Sequence, residues 1–232
     1  MTLRQRQTHT CLEKIYNPNH EHYEIGIDEA GRGPLFGRVY TAAVILPKDS
    51  DTFHYEWMKD SKKFHSEKKI NDVAEYIKQH AVAWAVTYED EKSIDNINIL
   101  QATYKSMHNS IHQIHSHPIS CLIVDGNNFK PYNYFDSNLM KYVSIPHVCV
   151  EGGDNKYACI AAASILAKTE RDKYIHELCE QHPDLITHYN LDKNKGYGTK
   201  SHLDGIRFHG ITEWHRKSFG ICKHTEASKE FT

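Results

Sequence analysis

The chain has 232 residues, 39% hydrophobic and 25% charged, with a formal net charge of −2 at pH 7. That size and balance suit one ordinary globular domain. They exclude a membrane-spanning helix, for which no apolar run reaches the roughly 18 to 20 residues needed, and an overall basic footprint, so any nucleic-acid contact must come from a local patch.

Residues 1–22 carry Arg4, Arg6 and Lys14 with few acids and lack the pattern of a secretory signal, so they read as a flexible N-terminal extension. Tyr23 to Asp28 reads as a buried strand, and Arg38 to Leu46 as a second one closed by Pro47. The tight turn from Gly31 to Gly37 makes a hairpin of them. After a polar loop at Lys59 to Lys63, Ser66 opens a helix to about His80. Val82 to Tyr88 alternates as a third strand. From Asp90 to about His115 the periodicity is helical, with Ile94, Ile97, Leu100, Tyr104, Met107 and Ile111 on one face. Ile119 to Val124 is an apolar strand that ends in Asp125-Gly126-Asn127. Val143 to Val150 reads as a fifth strand, broken by Pro146 and followed by Gly152-Gly153-Asp154. Tyr157 to about Cys179 is a buried helix rich in small residues. Beyond Pro183 the chain is polar and turn-rich, with one short helix near Lys200 to Phe208 and a tail from 221 to 232. This order predicts an α/β fold with a mixed sheet in one domain.

The six cysteines are scattered without a CxxC pair, which points to an intracellular, disulfide-free protein. No GxxxxGK[ST] loop is present. The Gly31–Gly37 turn is a poor dinucleotide-binding turn, because a strand rather than a helix follows it. His20, His22, His112, His115 and His117 lack acidic or cysteine partners and read as solvated surface.

The acids are more informative. Asp28 and Glu29 stand side by side at the end of an apolar strand. Two carboxylates about 4 Å apart, at an effective dielectric near 20, repel by roughly 4 kcal/mol, and a divalent cation is the usual compensation. Asp125 and Asp154 also follow strands, each beside a glycine. One such aspartate is ordinarily a turn former or a helix cap. Their coincidence instead suggests a shared site at the strand ends of an α/β sheet. An all-oxygen donor set selects Mg²⁺ or Mn²⁺. Arg32, flanked by Gly31 and Gly33, offers a fork for phosphate beside backbone that can approach a ligand closely. Together these suggest phosphodiester chemistry.

The run Asp28-Glu29-Ala30-Gly31-Arg32-Gly33-Pro34-Leu35 closely resembles ribonuclease HII. Further blocks match in order: Asp60-Ser61-Lys62-Lys63, Val124-Asp125-Gly126-Asn127, Gly153-Asp154, Ile160 to Lys168 with Arg171-Asp172, Asn194 to His202, and His215 to Phe219. The resemblance spans about residues 23–220 and implies a ribonuclease H-like fold, a central five-stranded mixed sheet flanked by helices. It implies cleavage of RNA in RNA–DNA hybrids and 5′ of single ribonucleotides in duplex DNA, with two divalent ions (Mg²⁺ or Mn²⁺) held by Asp28, Glu29, Asp125 and Asp154. By the same resemblance Gly31, Arg32 and Gly33 read the 2′-hydroxyl, and Tyr197 stacks on the deoxyribose that follows the ribonucleotide. Lys62, Lys63, Lys168, Lys195 and Arg216 are expected phosphate contacts.

Phe36 is larger than expected in the turn, Tyr157 and Cys159 replace small residues, and Gly152 stands where a lysine is common. Type III ribonucleases H usually carry threonine at the position of Arg32 and a sizeable N-terminal domain, so type II is favoured. No QxxLxxFF-like clamp-binding segment is visible, so a cytoplasmic monomer with no obligate protein partner is expected. A non-catalytic hybrid-binding module and another ribonuclease H-like nuclease are the alternatives; all four acids are present, against the first, and the 2′-hydroxyl-reading turn argues against the second.

Overall fold

A computed structural model describes residues 11–48 and 53–228 of the chain. Its centre is a five-stranded mixed sheet in the order β3-β2-β1-β4-β7. Strands β1 (Tyr23–Ala30), β2 (Val39–Ile45) and β3 (Ala83–Glu89) form an antiparallel meander. Strands β4 (Ile119–Asp125) and β7 (His147–Val150) add to it in parallel. β1 and β2 are the expected hairpin around the Gly31–Gly37 turn. β2 is buried along its whole length, as a central strand covered on both faces should be.

One face is covered by α2 (Glu91–Ile114), through Tyr104, Met107, Ile111 and Ile114. The other is covered by α3 (Ala158–Gln181), with α1 (Glu67–His80) alongside. Ala158, Ala161, Ala162, Ala163 and Ala167 are wholly buried, so the start of α3 lies close on the sheet. Gly26 in β1 makes that approach possible: a Cβ there would come within 2.2 Å of the Cys159 carbonyl carbon.

α1 and α2 are capped as their sequences suggest. Ser66 accepts from the amide of Lys69, and Asp90 from the amide of Ser93. α2 is interrupted at Asn98, where φ is 64°; its Oδ1 accepts from the amide of Gln101 and restarts the helix.

Three expectations need correction. The predicted strand from Val143 to Val150 is two strands. Pro146 separates β6 (Lys141–Ser144) from β7, and β6 pairs instead with β5 (Asn133–Asp136) in a two-stranded ribbon outside the main sheet. Residues 11–22 of the expected N-terminal extension bond to the domain. Glu13 exchanges backbone bonds with Lys156 and Ala158, and the amides of Tyr16 and Asn17 donate to the carboxylate of Glu24. The region after Pro183 holds α4 (Asp184–Tyr189), α5 (Leu191–Asn194) and α6 (Lys200–His209) around a third apolar cluster that includes Phe36, Tyr174 and Tyr189. The expected tail is anchored as far as Ser228, whose amide donates to Ile211. The ends of both predicted terminal segments, 1–10 and 229–232, lie outside the described residues.

Candidate active site

β1 and β4 run parallel with Ile27 opposite Val124. The next residue on each strand is an aspartate, so Asp28 and Asp125 emerge abreast at the carboxyl end of the sheet. Both share the α3 face, by the alternation that puts Gly26 and Ile123 beneath that helix. Asp154 arrives from a 3-10 turn, Gly153–Asn155, just before α3. That turn is tied to the neighbouring acid, since the Gly153 amide donates to Asp125 Oδ1 at 2.7 Å. Glu29 completes the set, and Arg32 Nη1 reaches its Oε1 at 3.1 Å.

All four acids line one cavity of about 500 Å³. Asp28 is 5% exposed and Asp154 7%. Burial, reinforced by Glu29 and Asp125, holds the Asp28 carboxyl well above the usual carboxylate range, despite the opposing Ser164 hydroxyl and Glu29 amide. Burial also raises Glu29, against the pull of Arg32. Asp154 is raised by burial and then by Asp60 and Asp125.

This donor set fits divalent cations: it is all oxygen, and its mutual repulsion is what added positive charge relieves. Among the described residues no three His, Cys, Asp or Glu side chains close into a ready cage. An open cleft suits Mg²⁺ or Mn²⁺, which complete their coordination with water and substrate phosphate.

The Gly31-Arg32-Gly33 turn and Tyr197 line the same cavity. Tyr197 is half exposed, and a Cβ on Gly33 would lie 3.6 Å from its ring. Gly31 takes a φ of 93°, and a Cβ there would strike Arg171 Nε at 2.2 Å. Glycine is therefore required twice over, for the turn and for its seat on Arg171.

Lys62, Lys168 and Lys195 also line the cavity. Lys168 Nζ pairs with Asp172 at 2.6 Å, and Lys195 Nζ lies 3.5 Å from Glu67. Lys63 is exposed at the edge, bonded to Asn155. Arg216 departs from expectation. Its side chain is fully buried and donates to the carbonyls of Gly31, Arg32, Pro34 and Gly37 at 2.6 to 3.0 Å. Four of its five N–H donors are taken by these carbonyls and the group is closed off from solvent, so it braces the Gly31–Gly37 turn.

Sequence reasoning missed Ser61, Ser164, Lys193 and Asn194, which also line the cavity. Ser164 was detectable as the one hydroxyl in the alanine-rich start of α3; Lys193 had no distinguishing signal.

Comparison with known proteins bears on this constellation. The family model described as Ribonuclease HII matches residues 25–222. The chain belongs to the ribonuclease HII family. The ribonuclease HII of Parabacteroides distasonis is 48% identical to it over 85% of this chain and 90% of its own length. In fold, the crystal structure of ribonuclease H2 from Pyrococcus horikoshii is similar, with a TM-score of 0.67 at 18% identity over 87% of this chain and 95% of that one. So is RNase HII in the PCNA complex from Archaeoglobus fulgidus, with a TM-score of 0.65 at 24% identity over 85% and 95%. As a member of the ribonuclease HII family the protein is a ribonuclease H enzyme, a hydrolytic endonuclease.

The departures from the ribonuclease HII pattern have local explanations. Phe36 turns into the third apolar cluster, away from the cavity, with its ring centroid 5.0 Å from that of His215 and the two rings nearly perpendicular. Gly152 takes a φ of 62°, where lysine would be strained. Tyr157 packs edge-on against Tyr16, joining the N-terminal segment to α3.

Proposed function

We propose that the protein cleaves the RNA strand of RNA–DNA hybrids, and duplex DNA 5′ of single embedded ribonucleotides, leaving 3′-hydroxyl and 5′-phosphate ends. The observation that carries this reading is the alignment of Asp28 with Asp125, with Glu29 and Asp154 in the same cavity, directly beside a glycine–arginine–glycine turn and an exposed tyrosine.

In this reading Asp28, Glu29, Asp125 and Asp154 hold two divalent ions, Mg²⁺ or Mn²⁺, which supply activation of water and charge neutralisation for an in-line displacement. The chain's own groups do the recognition. Gly31 and Gly33 bring backbone against the sugar, where the 2′-hydroxyl alone distinguishes RNA from DNA. Arg32, half exposed beside Glu29, swings to a phosphate. The Tyr197 ring stacks on the following deoxyribose, a face that a second 2′-hydroxyl would spoil. Lys62, Lys63, Lys168 and Lys195, with Lys193, line the path of the backbone as phosphate contacts.

No helix among the described residues is long and apolar enough to cross a membrane. The Archaeoglobus fulgidus homologue is known in complex with PCNA; for this chain we propose action as a cytoplasmic monomer, which a gel-filtration mass of twice 26.9 kDa would contradict.

The test is a labelled DNA duplex carrying one ribonucleotide, incubated with Mg²⁺ or Mn²⁺ beside an all-DNA duplex and a continuous hybrid. A metal-dependent cut immediately 5′ of the ribonucleotide is expected. Cleavage of the hybrid alone would leave single-ribonucleotide recognition without support, and no cleavage with either ion would remove the reading.

A further inference from the structure

His202 and His215 are both fully buried, and neither touches the cavity that holds the acids. Their ring nitrogens form a continuous chain. Thr212 donates its backbone N–H to His215 Nδ1 at 3.0 Å, with its Oγ1 2.9 Å from the same nitrogen. His215 Nε2 lies 3.1 Å from His202 Nε2, and His202 Nδ1 lies 3.0 Å from the carbonyl of Tyr197.

The partners fix every proton. A carbonyl only accepts, so His202 carries its hydrogen on Nδ1 and presents a bare Nε2. His215 must then donate from Nε2, which leaves its Nδ1 bare for the Thr212 amide. Both rings are neutral, each in one tautomer, and a second proton on either would set donor against donor. Burial, which lowers both imidazoles and His215 most strongly, agrees.

The same short segment grips the opposite wall of the site. The His215 backbone bridges to Phe36, the Arg216 amide donates to Leu35, and the Arg216 side chain holds the carbonyls from Gly31 to Gly37. Thr212 to Arg216 is thus a bracket with one arm on the Gly31–Gly33 turn and the other, through the imidazole pair, on Tyr197.

We infer that His202 and His215 are positioning residues for substrate selection, setting the Tyr197 backbone, and so its ring, at a fixed height over Gly33. This rests on the proposed role of Tyr197 at the ribonucleotide junction.

Two matched variants separate positioning from mere packing. In H202N the amide nitrogen stands near the place of Nδ1 and keeps the donor to Tyr197; in H202Q the amide reaches towards His215 and that donor is lost. The quantity read is the rate of cutting at a single ribonucleotide divided by the rate on a continuous hybrid. H202Q should lower this ratio roughly fivefold, about the worth of one neutral hydrogen bond, while H202N stays near wild type. In the double variant H202Q/Y197A the ratio should equal that of Y197A alone, since His202 acts only through Tyr197.

Equal loss in H202N and H202Q, or an additive double variant, would overturn the inference. If Y197A itself leaves the ratio unchanged, the junction role of Tyr197 fails. If Y197A lowers it and H202Q does not, the positioning inference alone fails. Nitrogen-15 NMR of the wild-type rings is independent of how the variants fold. At pH 7 it should find His202 as the Nδ1–H and His215 as the Nε2–H tautomer; an Nε2–H tautomer for His202 would refute the chain.

Discussion

A carboxyl group such as that of Asp28, buried between Glu29 and Asp125, holds its proton more tightly in the folded chain than in the unfolded one. Its contribution to stability is therefore fully present below the unfolded value of about 4 and is lost as pH rises through the raised folded value. Asp28→Asn removes that dependence along with one of the four acids of the cavity. Thermal melts in EDTA should find the variant more stable than wild type at pH 8, with the gap closing towards pH 4, while cleavage is abolished. No gap at pH 8 would mean that the charge is not buried in solution. Arg216 obeys the opposite logic: its positive charge is buried but held by four backbone carbonyls. Lysine cannot span four acceptors, so Arg216→Lys should cost about 3 kcal/mol in urea unfolding, whereas Lys62→Ala at the surface should stay within about 0.5 kcal/mol. The two sites differ in how legible they were. Acids at the end of an apolar strand have no explanation in the core, so Asp28 and Glu29 stand out. An arginine in a polar segment looks the same whether it meets a phosphate or four backbone carbonyls.

Among the elements, the contact of β1 with α3 is the least forgiving. Gly26→Ala would drive a methyl group into the backbone of Cys159 and Ile160. Overpacking of that kind typically costs 1 to 3 kcal/mol, and more when backbone must move. A drop in urea midpoint with an unchanged slope is expected; an unchanged midpoint would mean that helix and sheet separate easily. α1 and α2 were readable because each buries a periodic face, and β2 and α3 because each begins as a continuous apolar run between turn signals. The β5–β6 ribbon was not: its strands have four residues each, and Phe135, Leu139, Met140 and Tyr142 stay exposed around it. Without a buried face there is no alternation to detect, and Pro146 was taken for a blemish in one strand rather than the border between two sheets.

For the whole molecule, a net charge of −2 must be reconciled with a polyanionic substrate. The cavity answers this locally, with Lys62, Lys168, Lys193 and Lys195 lining it beside the four acids. The salt dependence of binding should therefore follow these local contacts rather than the net charge. In a fluorescence anisotropy titration of the Asp28→Asn protein with hybrid, Lys62→Ala should lower the slope of log affinity against log salt by about one. An unchanged slope would remove Lys62 from the phosphate path. The acidic site could be predicted because Asp28, Glu29 and Asp125 close apolar strands and Asp154 follows one in a glycine turn. The bracket that shapes it could not, because contacts between distant loops leave no periodic trace.

That bracket also sets a schedule. Arg216 meets Gly31 across 185 positions, so a ribosome finishes all four acids long before it delivers the residues that arrange the turn and Tyr197 around them. A nascent chain ending near residue 210 would carry all four acids without the segment that braces the turn and Tyr197 beside them. Because Thr212 to Arg216 brace both the Gly31–Gly33 turn and Tyr197, the arrangement of the two around the acids is completed only in that late step of synthesis.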